Sequence, residues 1–359
     1  IMQNNQAIPF NKENFKQIIS IEFALVIVVS IPSAILAEFF DVPLAWFLGP
    51  MLATSVASLF GLNIKMPKLV LSTILILLGL YIGNYIDKSL FSQMHQWAWT
   101  SLIMLIYIIV SVLIVSKYLQ KFSKYGKKTS IFSAAPGALG PLMILAEDEK
   151  TDLSQVATSH LIRLIIIITV FPFIVNSFYD GEISEVINET VTDQNLIDLL
   201  LLILCSTLLI FLFDKFKIPA ALLSGTLFAS GFLQITEIAS YQLSPNIIDY
   251  CLLILGASVG CRFADKTFSE ISRNALHSFV ATFLLVVLGL IAAFVAGLFI
   301  EKNFFTLLLS YCPGGIYEVA VIAIFFDLDP EFVSFHHIIR LLMILFIVPL
   351  ILKIVEKKT

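Results

Sequence analysis

The sequence predicts an all-α polytopic membrane protein built as two inverted repeats. Each repeat is expected to hold five transmembrane helices plus one re-entrant or broken helix. Three observations predict this: the composition, a gapless internal repeat, and the placement of the basic residues. Apolar residues make up 58% of the chain and charged residues only 13%. A soluble domain carries about 25% charged residues, so a soluble fold is excluded. The apolar excess sits in runs such as Ile21–Leu36, Leu69–Ile82, Trp97–Val115, Leu164–Val175, Leu196–Phe213 and Phe279–Ile300. A hydrocarbon core of ~30 Å needs ~20 apolar residues per helix, and these runs approach that length.

The repeat has a fixed shift of 177 residues, which carries Pro136 onto Pro313. The stretch A-P-G-A-L-G-P-L-M-I-L-A from Ala135 matches C-P-G-G-I-Y-E-V-A-V-I-A from Cys312. At the same shift Gly137 falls on Gly314, Asp152 on Asp329, His160 on His337, Arg163 on Arg340 and Pro172 on Pro349. The chain therefore divides into an N-terminal cytoplasmic segment (1–16), a first repeat (17–178), an extracellular linker (179–195) and a second repeat (196–359). The linker Y-D-G-E-I-S-E-V-I-N-E-T-V-T-D-Q-N is the one long polar stretch between the repeats.

Apolar runs and their punctuation place the elements in order. In the first repeat helices are expected at 17–38, 44–60, 69–86 and 97–117, a broken segment at 130–146, and a helix at 153–176. In the second they are expected at 196–213, 219–235, 246–262 and 275–300, a broken segment at 304–326, and a helix at 331–355. Asp41-Val42-Pro43 opens a short helix containing Gly49, and Lys217-Ile218-Pro219 opens one containing Gly225. Next, L-G-L-Y-I-G from Leu78 matches L-G-A-S-V-G from Leu255. Small residues four apart let helices approach closely in lipid, which gives these glycines a packing role. The alternative is that Ser258, with Asn84 near its counterpart, lines a path.

The lysines and arginines decide the orientation of the repeats. If each broken segment crosses the membrane, the repeats are parallel and basic residues fall on both sides. If each segment re-enters and returns, five crossings per repeat make the repeats inverted. Of the 22 basic residues, Arg163 and Arg340 are then intramembrane and only Lys88 and Lys302 lie outside. The positive-inside rule favours the second arrangement, with ten crossings, two re-entrant hairpins and both termini cytoplasmic. The expected location is the bacterial cytoplasmic membrane.

The candidate site follows from the same positions. Pro136-Gly137 and Pro313-Gly314-Gly315 break any helix that runs through them, and Gly140 lies just beyond the first break. Freed backbone groups at membrane depth must be buried in protein or line a watery cavity. Half-helix ends there present N–H or C=O dipoles to an ion. Arg163 and Arg340 fall roughly nine to ten residues into their helices, which is ~15 Å deep at ~1.5 Å per residue. An intramembrane arginine costs at least ~2.5 kcal/mol and requires a partner or a cavity. His160 and His337 sit three residues earlier, on the same helix face. Each arginine could bind an anionic solute or anchor hairpin carbonyls. Glu318, beside Tyr317, occurs only in the second copy, where the first has Pro141. A lone membrane carboxylate can carry a proton, bind Na⁺ or pair with Arg340.

Other chemistries lack a basis. Cys205, Cys251, Cys261 and Cys312 have no CxxC spacing and read as small apolar residues. No metal or other cofactor is expected beyond H⁺ or Na⁺ as a coupling ion. No basic run offers a nucleic-acid surface. The expected partners are the lipid bilayer and a small solute, with a homodimer left open. No catalytic constellation is present, so an enzyme is not expected.

With these motifs in view, the chain resembles the AbrB-duplication membrane proteins, some of which are labelled as an ammonia monooxygenase. Members carry a doubled P-G-G-x-x-E-M motif followed about 20 residues on by a polar helix with an arginine. Pro313-Gly314-Gly315-Ile316-Tyr317-Glu318-Val319 with Arg340 matches it, and Pro136-Gly137-Ala138-Leu139-Gly140 with Arg163 is a weaker copy. Members often have Gln where this chain has His160 and His337. The resemblance implies a fold like the cation:proton antiporter/anion transporter superfamily, with inverted repeats and unwound helices. Five histidines do not supply the ligand set of a copper or di-iron monooxygenase. The expected function is secondary active transport of a small anionic solute coupled to H⁺ or Na⁺. The alternative is a membrane sensor or scaffold that influences gene expression through a partner.

Overall fold

The computed structural model describes residues 17–86, 89–137, 139–149, 151–179, 195–239, 241, 243–244 and 246–356. The N-terminal segment 1–16, most of the linker 179–195, and Lys88, Lys150, Lys357 and Lys358 lie outside the described residues. The described residues form fourteen helices and no strand. The first repeat contributes α1 (Ile21–Phe39), α2 (Ala45–Leu59), α3 (Lys68–Gly83), α4 (Ser89–Phe122), α5 (Lys127–Ala134), α6 (Leu139–Asp148) and α7 (Leu153–Phe178). The second contributes α8 (Leu196–Lys215), α9 (Ala221–Thr236), α10 (Asn246–Cys261), α11 (Phe268–Gly297), α12 (Phe304–Tyr311), α13 (Ile316–Phe325) and α14 (Pro330–Glu356).

Six helices are long and apolar enough to cross a membrane: α1, α7, α8 and α11 whole, α4 from Trp97, and α14 to Val355. That is the make-up of a multi-pass membrane protein. Their outward residues are large and apolar, among them Ile35, Leu113, Phe173, Leu204, Phe283 and Phe346, as expected where the solvent is lipid. The other four expected crossings, α2, α3, α9 and α10, are only 15 or 16 residues long. Their starts explain the length. Leu44 and Ala220 stand in the left-handed region just after Pro43 and Pro219, and Pro67 precedes α3, so α2, α9 and α3 each have a hard N-terminal stop. In contrast, α4 and α11 begin about seven residues before their apolar runs. Polar first turns such as Ser269-Glu270 continue the helix past the stretch that hydropathy marks.

The compact units do not follow the two repeats. One unit contains Ile1–Leu90, Asp180–Thr267 and Ile324–Glu331, and the other contains Phe91–Tyr179, Phe268–Ala323 and Phe332–Thr359. Each unit is thus assembled from matching parts of both repeats.

In the first unit, the second helix of each repeat packs on the third helix of the other. A Cβ on Gly256 of α10 would meet the Phe47 carbonyl of α2, and one on Gly260 would meet Thr54 and Met51. The reciprocal contact sets Gly79 of α3 against Leu223 of α9, and Gly83 against Leu227 and Ser230. Hydrogen bonds follow the same exchange. Thr54 Oγ1 donates to the Ala257 carbonyl at 3.3 Å, and Ser230 Oγ to the Leu80 carbonyl at 3.1 Å. These are the glycines that the sequence sets four apart. They serve the close packing that small residues permit. Asn84 accepts a hydrogen bond from Ser230 at 3.0 Å, while Ser258 donates to its own helix at Leu255.

The second unit contains the broken segments. Residues before the prolines, Ala135 and Cys312, are extended with nearly identical dihedrals, because a following proline disfavours the α region. Helix α5 stops at the first break and α6 starts beyond it. Helices α12 and α13 repeat the pattern. The two ends of the α5–α6 segment meet: Lys128 Nζ pairs with Glu149 Oε2 at 2.5 Å, and Thr129 Oγ1 accepts from the Asp152 amide. At the second segment, Lys302 stands over the Phe332 ring at 5.6 Å, beside the start of α14.

Candidate functional site

The two breaks come together inside the second unit. Gly137 has φ +92°, a conformation that favours glycine. A Cβ there would meet Arg340 Nη2 at 2.6 Å and the Gly314 carbonyl at 3.2 Å. Pro136, Gly137, Pro313 and Gly314 are buried, and Gly315 is half-buried. Gly140 lies in the first turn of α6.

Both arginines are buried and turned onto the breaks. Arg163 donates through Nη1 to the Ala135 carbonyl and through Nη2 to the Ser133 carbonyl. Arg340 donates to the Cys312 carbonyl, and through Nη2 to the Gly314 carbonyl at 2.6 Å. The histidines repeat the symmetry. His160 Nε2 lies 3.0 Å from the Phe132 carbonyl, and His337 Nε2 lies 3.0 Å from the Leu309 carbonyl, both 28 residues away in sequence. Arg340 Nη2 is 3.1 Å from His337 Nδ1. With Nε2–H donating to Leu309, Nδ1 is left as the acceptor, so this pattern holds His337 neutral.

The carbonyls of Ser133, Ala135 and Cys312 belong to the C-terminal ends of α5 and α12, and that of Gly314 lies just past the second break. A helix C-terminus carries partial negative charge, and here the protein's own guanidinium groups meet it. Arg163 and Arg340 therefore hold the breaks in shape. Each still keeps one donor, Nε–H, buried with no hydrogen-bond partner. Such a donor costs free energy unless water or a solute meets it.

Glu318 is 1% exposed and folds back on the break. The Gly315 carbonyl accepts from the Val319 amide at 3.1 Å, which makes Gly315 the N-cap of α13. A Cβ on Gly315 would run into the Glu318 carboxylate. The carboxylate thus lies over the positive end of α13, where a capping-box glutamate reaches back. Tyr317 is half-buried beside it in the chain.

One cluster was not foreseen from sequence. His336 is buried against Phe332, with ring centroids 4.1 Å apart, and its Nε2 lies 2.7 Å from Thr100 Oγ1. Tyr311 donates to the Thr100 carbonyl at 2.7 Å, which ties α4 to α12. The available signal is an asymmetry: His336 falls on Ser159 in the first repeat. Ser159 instead meets Tyr125 and Ser278, each at 3.4 Å.

The family described as Transition state regulatory protein AbrB matches residues 3–83 and 46–356. The chain belongs to the AbrB family. It is similar to the Bacillus subtilis (strain 168) uncharacterised protein YhjN, 23% identical over 290 residues, covering 76% of this chain and 75% of that one. It is also similar to an Escherichia coli (strain K12) protein named as a candidate regulator, AbrB. That match is 24% identical over 319 residues, 88% of this chain and 90% of the relative. No solved structure matches. Among the described residues, no group of His, Cys, Asp and Glu is placed to hold a metal ion.

Proposed function

We propose that this AbrB-family chain is a secondary active transporter of a small anionic solute in the bacterial cytoplasmic membrane. The observation that carries the reading is the meeting of two broken helices at Gly137, Gly314 and Arg340. Paired interruptions at matching repeat positions are the sequence and structural mark of a transport site at membrane depth. The meeting of Lys128 with Glu149 supports a re-entrant hairpin, and with it the inverted repeat favoured by the basic residues. In this arrangement the four short helices α2, α3, α9 and α10 also cross, and both termini are cytoplasmic.

Charge supports an anion. Two buried guanidinium groups and one buried carboxylate belong to the segments around the breaks, and the hydrogen-bond pattern keeps His337 neutral. One positive charge is left for a solute to meet. Glu318 is the group for the coupling ion, since its carboxylate can take up a proton or bind Na⁺. Purified protein in liposomes should accumulate an anionic solute only under an ion gradient. A broad panel of anions with neither uptake nor exchange removes this reading.

A second reading draws on the name of the Escherichia coli relative, that of a regulator. The chain would then sense a solute and act on gene expression through a soluble partner. It predicts a stoichiometric cytoplasmic partner in pull-downs and no net uptake. Saturable uptake without such a partner decides for the transporter.

A further inference from the structure

The outward stripe of α4 changes character at one end of its apolar run Trp97–Phe122. Leu102, Ile106, Val110 and Leu113 are exposed and recur at helical spacing, so they share the face that lies against lipid. Lys117 and Lys121 continue that stripe at the next two steps of four, and both are exposed. Phe122 follows, also exposed, with Lys121 Nζ 5.4 Å from its ring centre. The depth agrees with this. Trp97 and Trp99 open the run, as aromatic residues do at a membrane interface. A hydrocarbon core of ~30 Å takes ~20 residues at ~1.5 Å each, which leads from Trp97 to Lys117. The two lysines therefore stand at the headgroup layer of the opposite face, on the side that meets lipid.

Further positive charge gathers at this level. Lys124 is exposed in the turn after α4. Tyr118 Oη lies 3.2 Å from His277 Nδ1, which sets the end of α4 beside α11. One turn before His277 stands exposed Arg273, next to the outward residues Leu276, Phe279 and Phe283 of α11. The nearby carboxylate of Glu149 is taken by Lys128. The fold itself does not require lysine on the stripe. At the shift of 177, Lys117 falls on Phe294 and Lys121 on Leu298, both exposed and apolar at the far end of α11.

We infer that Lys117 and Lys121, with Lys124 and Arg273 at the same level, form a docking surface for the headgroups of anionic phospholipids. The occupant follows from the stripe: a group beside Lys117 continues the lipid that lies beside Leu113. Lysine stems pack along apolar surface while their ammonium groups reach the phosphates. On the orientation proposed above this is the cytoplasmic leaflet, whose anionic lipids draw basic residues to the membrane surface. The inference goes beyond the transport reading and holds equally for a sensor.

The test uses the full chain in bilayers of phosphatidylcholine, with Leu113→Trp as a local reporter and the signal of the native tryptophans subtracted. Brominated phosphatidylglycerol and brominated phosphatidylcholine are compared as quenchers, which gives their relative affinity beside the stripe. Phosphatidylglycerol should be preferred. Lys117→Gln with Lys121→Gln should cut that preference at least about fivefold, the worth of one lysine near an anionic surface, or about 1 kcal/mol. Lys117→Arg with Lys121→Arg should keep it. Lys215→Gln with Lys217→Gln removes the same charge at the end of α8 and should leave it unchanged. Inorganic phosphate should compete no better than chloride at equal ionic strength. Equal quenching by the two lipids, an undiminished preference in the Lys117 and Lys121 glutamine pair, or an equal loss in the Lys215 and Lys217 pair overturns the inference. Competition specific to phosphate overturns it too, in favour of a free-phosphate site. If the glutamine pair does not insert, Lys117→Gln and Lys121→Gln decide singly, each expected to lose about fivefold.

Discussion

Replacing Arg340 with lysine separates a group that holds the break from one that only attracts solute. The native guanidinium serves the carbonyls of Cys312 and Gly314 and the Nδ1 of His337. Lysine keeps the charge but loses the planar fork, and its shorter ammonium is a point donor. It can serve one of the two carbonyls, and the other is left buried and unpaired. Such a group costs about 1–3 kcal/mol, so Arg340→Lys should lose about 2 kcal/mol of stability. Arg340→Met removes both bonds and should lose about 4 kcal/mol by the same reckoning. Unfolding in mixed micelles measures these losses. The positive charge persists in the lysine variant, so affinity for the anionic solute in the folded fraction should fall less than about tenfold, under 1.4 kcal/mol. Stability within about 0.5 kcal/mol of native, the range of an ordinary surface change, together with a collapse of affinity, would refute the holding role.

Three further outcomes follow from the same geometry. Glu318→Gln cannot cycle its charge, so solute exchange should continue while gradient-driven uptake in liposomes is lost; persistence of gradient-driven uptake removes Glu318 from coupling. Gly137→Ala forces a left-handed backbone on an L residue, at about 1–2 kcal/mol, and presses on Arg340 Nη2. It should lower the unfolding midpoint, whereas Gly297→Ala, whose Cβ meets only Leu307 at 3.5 Å, should not. For orientation, a cysteine at Lys302 should react with an impermeant reagent from outside, and cysteines at Lys124 and Lys266 only after permeabilisation; external labelling at Lys266 would contradict the inverted arrangement.

Much of this fold is legible in the sequence because helix breaks are written in side chains. Pro136 and Pro313 state where the backbone must leave the helix, and the residues before them adopt the same extended dihedrals. The depth of Arg163 and Arg340 is legible from helix rise. Their acceptors are not, since Ser133, Ala135, Cys312 and Gly314 contribute only carbonyls, which every residue has. The side-chain motif therefore leaves anchor and solute ligand equally open, and only geometry shows which carbonyls the guanidinium reaches. The glycine spacing at 79, 83, 256 and 260 announces close packing, but a helix pattern does not name its partner. Nothing in the order of the repeats indicates that α2 would pack on α10 rather than on a neighbour in sequence. Hydropathy also ends with the apolar run, so it places the starts of α4 and α11 too late.

The crossed packing of α2 on α10 and α3 on α9 has a consequence for how the chain is made. Thr54 and Ala257 are 203 residues apart, and Leu80 and Ser230 are 150 apart. At a ribosomal rate of about 5–20 residues per second, α2 waits roughly ten to forty seconds for α10, and α3 roughly eight to thirty for α9. During that interval the glycine faces of α3 and the polar notch of Thr54 and Ser58 have only lipid, or the insertion machinery, against them. The chain is then most exposed to mispairing with another nascent copy. A pause in translation between the repeats would lengthen that exposure, so slow codons in the linker should depress the yield of folded protein more than slow codons after residue 261.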